Sequence, residues 1–278
     1  MSDCYSISVD ADGANAVDLL SAASGLSRQL VKQAMQKGAV WLESRGPAKR
    51  LRRAKKLLCK GDQLYFYYDP KVLATDIEAP KLIADEGEYS IWYKPHGVLS
   101  QGSKWGDHCT LYRWVETNIQ PQRPAMLVHR LDRAATGLML LGHAKKATAL
   151  LAGLFERRQL KKVYRVKVHG DLRVFNQPIT IDKNIEQKKA VSHVRCLESD
   201  EAYSLVEVTI ETGRKHQIRR HLADLGAPVV GDRLYGQKGD AEDLQLTAYR
   251  LAFECPLSGV VRDYSLDKSL LPTLCTHY

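Results

Sequence analysis

Met-Leu-Val-His-Arg-Leu-Asp-Arg-Ala-Ala-Thr-Gly-Leu-Met-Leu-Leu-Gly, running from Met126 to Gly142, sets one carboxylate, Asp132, beside Arg130 and Arg133 and between two apolar runs. Leu127-Val128 and Leu138 to Leu141 read as short buried strands, so His129 to Gly137 is the loop that joins them. Loops on a rigid scaffold are where chemistry is usually placed, which makes Asp132 the first candidate functional group.

Outward from that loop, Tyr89 to Tyr93, Val163 to Val168 and Leu205 to Ile210 read as strands, while Leu111 to Glu116, Lys145 to Glu156 and His216 to Ala223 read as amphipathic helices. The strands are not separated by regular crossover helices, so the pattern predicts an α+β fold rather than a doubly wound one. Asp69-Pro70 to Pro80 has neither period and is bounded by prolines. That predicts a linker over 70–81 between an N-terminal domain, 1–69, and a larger domain, 82–278.

With 278 residues and 44% hydrophobic content the chain can bury a sizeable core. No apolar run approaches the roughly 18 residues of a membrane helix, and Met-Ser-Asp-Cys-Tyr-Ser at the N-terminus carries no secretion-signal features, so a soluble, cytoplasmic monomer is expected. Cys4, Cys59, Cys109, Cys196, Cys255 and Cys275 are far apart without a Cys-x-x-Cys pair and are expected to be reduced and structural. The histidines form no metal-binding pattern, and there is no Gly-rich phosphate loop.

The net charge of +9 is local. Between Arg28 and Lys60 stand 11 basic residues, Lys49, Arg50, Arg52 and Arg53 among them, against Glu43 alone, which leaves the rest of the chain near neutrality. A one-sided field on so small a segment attracts polyanions, and nucleic acid is the expected partner. The same segment predicts helices over Ala14 to Ala23 and Ser27 to Lys37, a stop at Gly38, a short strand at Val40 to Leu42, and a Gly61-Asp62 turn into the strand Leu64 to Tyr68. These elements, with Leu26-Ser27-Arg28, Lys37-Gly38-Ala39-Val40 and Lys60-Gly61-Asp62, resemble the S-four-type RNA-binding domain over roughly Ala14 to Asp69. The resemblance implies that the helix face around Arg28, Lys32 and Lys37 lies against an RNA backbone.

Tyr93-Lys94-Pro95-His96-Gly97, His129-Arg130-Leu131-Asp132, Lys162-Val163-Tyr164, Thr212-Gly213-Arg214-Lys215-His216-Gln217-Ile218-Arg219 and Gly231-Asp232-Arg233-Leu234-Tyr235-Gly236 follow one another in the order of motifs found in the RluA family of RNA pseudouridine synthases, which the chain resembles from Leu82 onward. The resemblance implies a mixed, mainly antiparallel central sheet with flanking helices. It also implies the conversion of uridine in ribosomal or transfer RNA to pseudouridine.

That reaction breaks the bond from the sugar to the ring nitrogen, rotates the uracil and rejoins it through carbon 5. No redox change occurs and no atom is gained, so no cofactor is expected. A carboxylate is needed to attack the sugar or the uracil, or to remove a sugar proton, and Asp132 is the candidate. Desolvation between apolar strands would protonate it unless a cation stood near. By the resemblance that cation is Arg219. Tyr164 can stack on the uracil and receive the carbon 5 proton, although a Tyr in such a strand is most often a packed residue. Ile218 covers the other base face or is simple core. The target base must be flipped out of its stack. By the resemblance Arg130 fills the vacated place, Arg214, Lys215 and His216 hold phosphates, and Gln217 positions backbone rather than reading a base. Lys94-Pro95 is read as a structural turn at the pocket floor.

The chain departs from the family pattern at Ala134, Ala135 and Thr136, where Asp-Thr-Ser is usual, and at Thr247, where a His is expected. The alanines remove side-chain hydrogen bonds that would brace the loop. Two rival readings follow: an RNA- or ribosome-binding factor that has lost catalysis, and a metal-dependent nuclease using His129, Asp132 and His216. The first is opposed by the joint presence of Asp132, Tyr164 and Arg219. The second is opposed by the lack of a second carboxylate.

Overall fold

The computed structural model describes residues 2–174 and 177–274, which divide into two compact units. Cys275 lies outside the described residues. The first unit comprises 1–77 with 101–117, and the second 78–100 with 118–278.

In the first unit, strands β1 (Asp3–Ser8), β3 (Val40–Glu43), β4 (Lys49–Arg50) and β6 (Gln63–Tyr68) form an antiparallel sheet in the order β1-β6-β3-β4, and β2 (Ala14–Asn15) pairs with β5 (Leu57–Leu58). Helices α1 (Ala16–Ser24) and α2 (Arg28–Gln36) are each capped by the side chain before them. The Asn15 side chain accepts from the Val17 N–H, and the Ser27 hydroxyl from the Leu30 N–H. Val17, Leu20, Val31, Ala34 and Met35 from the helices close on Val40, Leu42, Leu64 and Phe66 from the sheet, a single apolar core. Gly38, at φ +84°, ends α2 where a side chain would collide with the Asp107 carboxylate.

Two expectations need correction here. The 70–81 segment is not structureless: Asp69 caps a short helix, α3 (Pro70–Leu73), by accepting from the Lys71 and Val72 N–H groups, and Lys81 already opens β7 (Lys81–Asp85). The Asp-Pro pair is a helix start, with proline at the first helical position. Residues 101–117, with most of helix α4 (Leu111–Asn118), belong to the first unit although the sequence places them in the second. The reason is Asp107, buried and held by Arg50 and Arg52. Strand β1 adds to these elements; of its six residues only Tyr5 and Ile7 turn towards the core, too few to stand out as an apolar run.

The second unit is built on a ten-stranded sheet, with β8 (Tyr89–Lys94), β9 (Met126–Leu127), β10 (Thr136–Gly142), β11 (Leu160–His169), β12 (Ile179–Asp182), β13 (Val191–Ser199), β14 (Tyr203–Ile210), β15 (Leu246–Glu254) and β16 (Val261–Ser265) joining β7. The order is β12-β13-β14-β11-β15-β10-β8-β7, with β16 on β15 and β9 on β10. All neighbours are antiparallel except β10 and β15, which run parallel from Thr136 opposite Thr247. This is the mixed, mainly antiparallel α+β sheet expected. Helix α5 (Lys145–Glu156) packs Leu151 and Leu154 against Ile91, Leu138 and Leu140, and helix α6 (Gln217–Asp224) packs Ile218 and Leu222 against Tyr164, Val166, Val194, Val206 and Val208. β9 stops at Leu127, one residue short of the expected strand.

Candidate active site

The loop before β10 is braced from outside rather than by its own side chains. The Lys94 ammonium, fully buried, donates to the carbonyls of Pro95 (3.1 Å), Val98 (2.9 Å) and Arg133 (3.3 Å). Ser100 closes a two-way bond with Leu131, its hydroxyl donating to the carbonyl at 2.7 Å and accepting from the N–H at 3.0 Å. His129 stacks on Phe155, centroids 4.3 Å apart, and its Nε2 accepts from the Leu140 N–H. Burial, aided by the Lys162 cation, pushes His129 down to about 3, so its imidazole is neutral. Ala135 is buried in the cluster that contains Tyr164 and Ile218, with Ala134 packed against it. The small residues that remove polar braces thus let the loop sit down on apolar core.

Asp132 emerges from this frame with 28% of its side chain exposed. From α6 the buried Arg219 donates through Nη1 to Asp132 Oδ2 at 3.2 Å. Its Nε and Nη2 grip Asp232 at 2.7 and 2.6 Å. Asp232 is itself fixed, Oδ1 accepting from the N–H groups of Leu234 and Tyr235. Burial opposes the charge on Asp232, and the guanidinium with the two N–H groups more than offsets it, holding the carboxyl below its usual range. For Arg219 burial likewise works against the cation, and the two aspartates more than offset it. The Tyr235 ring lies under the guanidinium, 5.2 Å away.

His216, just before α6, adopts the left-handed conformation at φ 54°, a strain a non-glycine residue bears only where its surroundings fix it. It brings Nε2 to 3.9 Å from Asp132 Oδ1 while Nδ1 meets the Tyr235 hydroxyl at 3.0 Å. The same hydroxyl accepts from Arg220 Nε at 3.1 Å, so it links His216 to Arg220. Burial lowers His216, with Asp132 opposing the shift.

Tyr164, on β11 opposite Ala248, is buried, and burial followed by the Asp132 charge pushes its phenol well up. It is a neutral phenol at neutral pH. Ile218 shares its apolar cluster. Asp132, Tyr164 and Arg219 are thus brought together.

The remaining predicted residues divide. Arg130 and Lys215 are exposed, and Arg214 reaches the Lys189 carbonyl with Nε. Gln217 is turned into the protein. Its amide, 3% exposed, accepts from the Thr212 hydroxyl and the Arg214 N–H and donates to Val191 and Ser192, leaving nothing for a base. Arg28 is exposed beside Asp18, Lys32, Lys49 and Arg53 are exposed, and Lys37 bonds the Leu73 carbonyl. Arg50 and Arg52 are both committed to Asp107, Arg50 also to the Gly38 and Ser103 carbonyls and Arg52 to that of Gln36. Among the described residues no three His, Cys, Asp or Glu side chains converge as a metal site. Nor is any helix there long and apolar enough to cross a membrane. Asp232, Tyr235 and Ser100 were given no role by the sequence reading, although the Gly-Asp-x-x-Tyr-Gly motif marked the first two.

Residues 88–224 match the family model described as RNA pseudouridylate synthase. The dual-specificity RNA pseudouridine synthase RluA of Vibrio vulnificus is 32% identical over 64% of this chain and 79% of its own length. The ribosomal large subunit pseudouridine synthase D of Pseudomonas aeruginosa is 33% identical over 59% of this chain and 55% of its own length. Among solved structures, human RNA pseudouridylate synthase domain containing 1 shares the fold with a TM-score of 0.58 at 21% identity, over 71% of this chain and 87% of that one. The chain belongs to the RluA-type RNA pseudouridine synthases, enzymes that isomerise uridine to pseudouridine.

Proposed function

We propose that this chain acts on uridine in ribosomal or transfer RNA, with Asp132 as the reacting carboxylate, and that its first unit is an S-four-type RNA-binding module. The observation that carries the reading is the ion path from Asp132 through Arg219 to buried Asp232. A carboxylate whose cationic partner is itself anchored stays aimed when a base covers it, the preorganisation electrostatic catalysis requires.

Asp132 acts on the sugar or the uracil while the bond between C1′ and N1 breaks. The base turns, C5 bonds to C1′, the C5 proton leaves and N1 is protonated, so substrate and product have the same atoms. We read Tyr164, whose phenol feels the Asp132 charge, as the ring on which the base stacks. As a neutral phenol it accepts the C5 proton only while passing its own to a neighbour, and Asp132 is the anion whose charge it feels.

The test uses RNA carrying tritium at uridine C5, incubated with the purified protein in excess chelator. Release of tritium to water with pseudouridine in the digest is the expected result. A protein that binds these RNAs without release would instead be the non-catalytic RNA-binding factor.

A further inference from the structure

The sheet of the first unit hides one face in its core and shows the other to solvent, and the second face is aromatic. Alternation along β6 sends Leu64 and Phe66 inward and Tyr65 and Tyr67 outward. The register then lays out a row across all four strands, Ser6 on β1, Tyr65 on β6, Trp41 on β3 and Arg50 on β4. Beside it run Cys4 and Tyr67, with Trp105 packed edge-on to Tyr67 at 5.7 Å. Two of the four tryptophans of the chain are therefore placed on this surface, away from the core that folds the unit.

The chemistry around these rings is cationic. Arg50 lies 4.4 Å over Trp41, and the exposed Lys104 lies 4.8 Å from the Tyr67 ring and 5.3 Å from that of Trp105. The acid among them, Glu43, is tied to the Tyr65 hydroxyl at 2.8 Å. On the β1 side the neighbours of Tyr65 and Tyr67 are Ser6 and Cys4, both small and exposed.

We infer that this sheet face is a stacking platform for single-stranded RNA, taking unpaired bases on Tyr65, Tyr67 and Trp41 while Lys104 meets the phosphates. Aromatic rings displayed by a sheet and rimmed by cations are a sequence-tolerant way to hold unstacked bases. Lys104, on a long flexible stem, moves from the ring to a phosphate as a base takes its place. The surface is distinct from the helix face of Arg28 and Lys32. It rests on the reading of the protein as one that acts on RNA, but not on the chemistry of Asp132.

The experiment measures binding of a single-stranded oligouridylate and of an RNA duplex by quenching of tryptophan fluorescence. It compares Tyr65→Leu and Tyr67→Leu with Tyr65→Phe and Tyr67→Phe, each checked for folding by circular dichroism and thermal melting. Each Leu variant should lose about 10-fold in affinity for the single strand, with the salt slope and duplex affinity unchanged, and the Phe variants should bind as the parent does. Parent-like single-strand binding by the Leu variants would overturn the inference, as would an equal loss for duplex. Should a Leu variant fail to fold, a loss in the corresponding Phe variant overturns it for that ring. Pseudouridine formation, assayed alongside, reports on Asp132 separately. An inactive protein whose single-strand binding still needs the rings would remove the catalytic reading and leave this one standing.

Discussion

Asp232 holds Arg219 in a two-bond fork, 2.7 Å from Nε and 2.6 Å from Nη2, so that only Nη1 is left to point at Asp132. The guanidinium is shared between a buried anchor and a reacting group, and its rigidity comes from the anchor.

Asp232→Asn should therefore act on catalysis without touching substrate. We expect a fall of about 100-fold in kcat, the scale of a catalytic group displaced by an ångström, with KM for RNA little changed. Breaking the buried pair should also cost about 3 kcal/mol of stability in urea titrations. Parent-like kcat would show that Arg219 needs no anchor.

Thr136 and Thr247 meet at 2.7 Å through their hydroxyls. They stand at two of the positions where the chain departs from its family pattern, and the departures are partners. Thr136→Val or Thr247→Val alone should cost about 1 kcal/mol, because each strands a hydroxyl, and the double variant should cost less than the sum of the two. Strict additivity in a double-mutant cycle would deny the coupling.

In the basic segment the charges should separate by role. Lys49→Gln with Arg53→Gln should weaken RNA binding and lower the salt slope by about 0.7 to 0.9 for each phosphate no longer neutralised, with thermal stability unchanged. Arg52→Gln should instead lower the melting temperature, since it leaves the buried Asp107 carboxylate short of a partner. Equal effects of both changes on the salt slope would contradict the division.

Lys94 gives a pH signature. Burial pushes its ammonium from 10.5 down to about 7, with the Asp132 charge opposing. In that window the unfolded chain binds more protons than the folded one, so this residue makes stability rise with pH between about 7 and 10.5. The stability of the parent relative to Lys94→Met should accordingly be greater at about pH 9 than at about pH 6 in paired urea titrations. A pH-independent difference would mean that Lys94 titrates alike in both states.

Much of this was legible in the chain, for reasons that differ by residue. Helix α5 was read over its full extent because Leu151 and Leu154 recur on one face, and β10 because Leu138 to Leu141 are apolar without interruption. Asp132 was legible from its setting, and its meeting with Arg219 from a motif. What the sequence hid were pairings across long separations. Nothing local to Arg50 or Arg52 announces Asp107, 55 residues beyond Arg52, so two internal arginines looked like part of a nucleic-acid surface. The bracing of the 129–137 loop was hidden for the same reason, its supports being Lys94 and Ser100 rather than residues of the loop. Gly137 shows how such constraints are set: at φ +126° a side chain there would strike the Ala248 backbone on the parallel strand.

The most direct measurement is the Asp132→Asn variant in a tritium-release assay, paired with RNA binding by filter retention. Asparagine keeps the size of the side chain and its place beside Arg219 but removes the charge. Pseudouridine formation should fall below detection while affinity for RNA stays at the parent level, and a pseudouridine yield like the parent's would contradict the assignment of Asp132 as the reacting carboxylate.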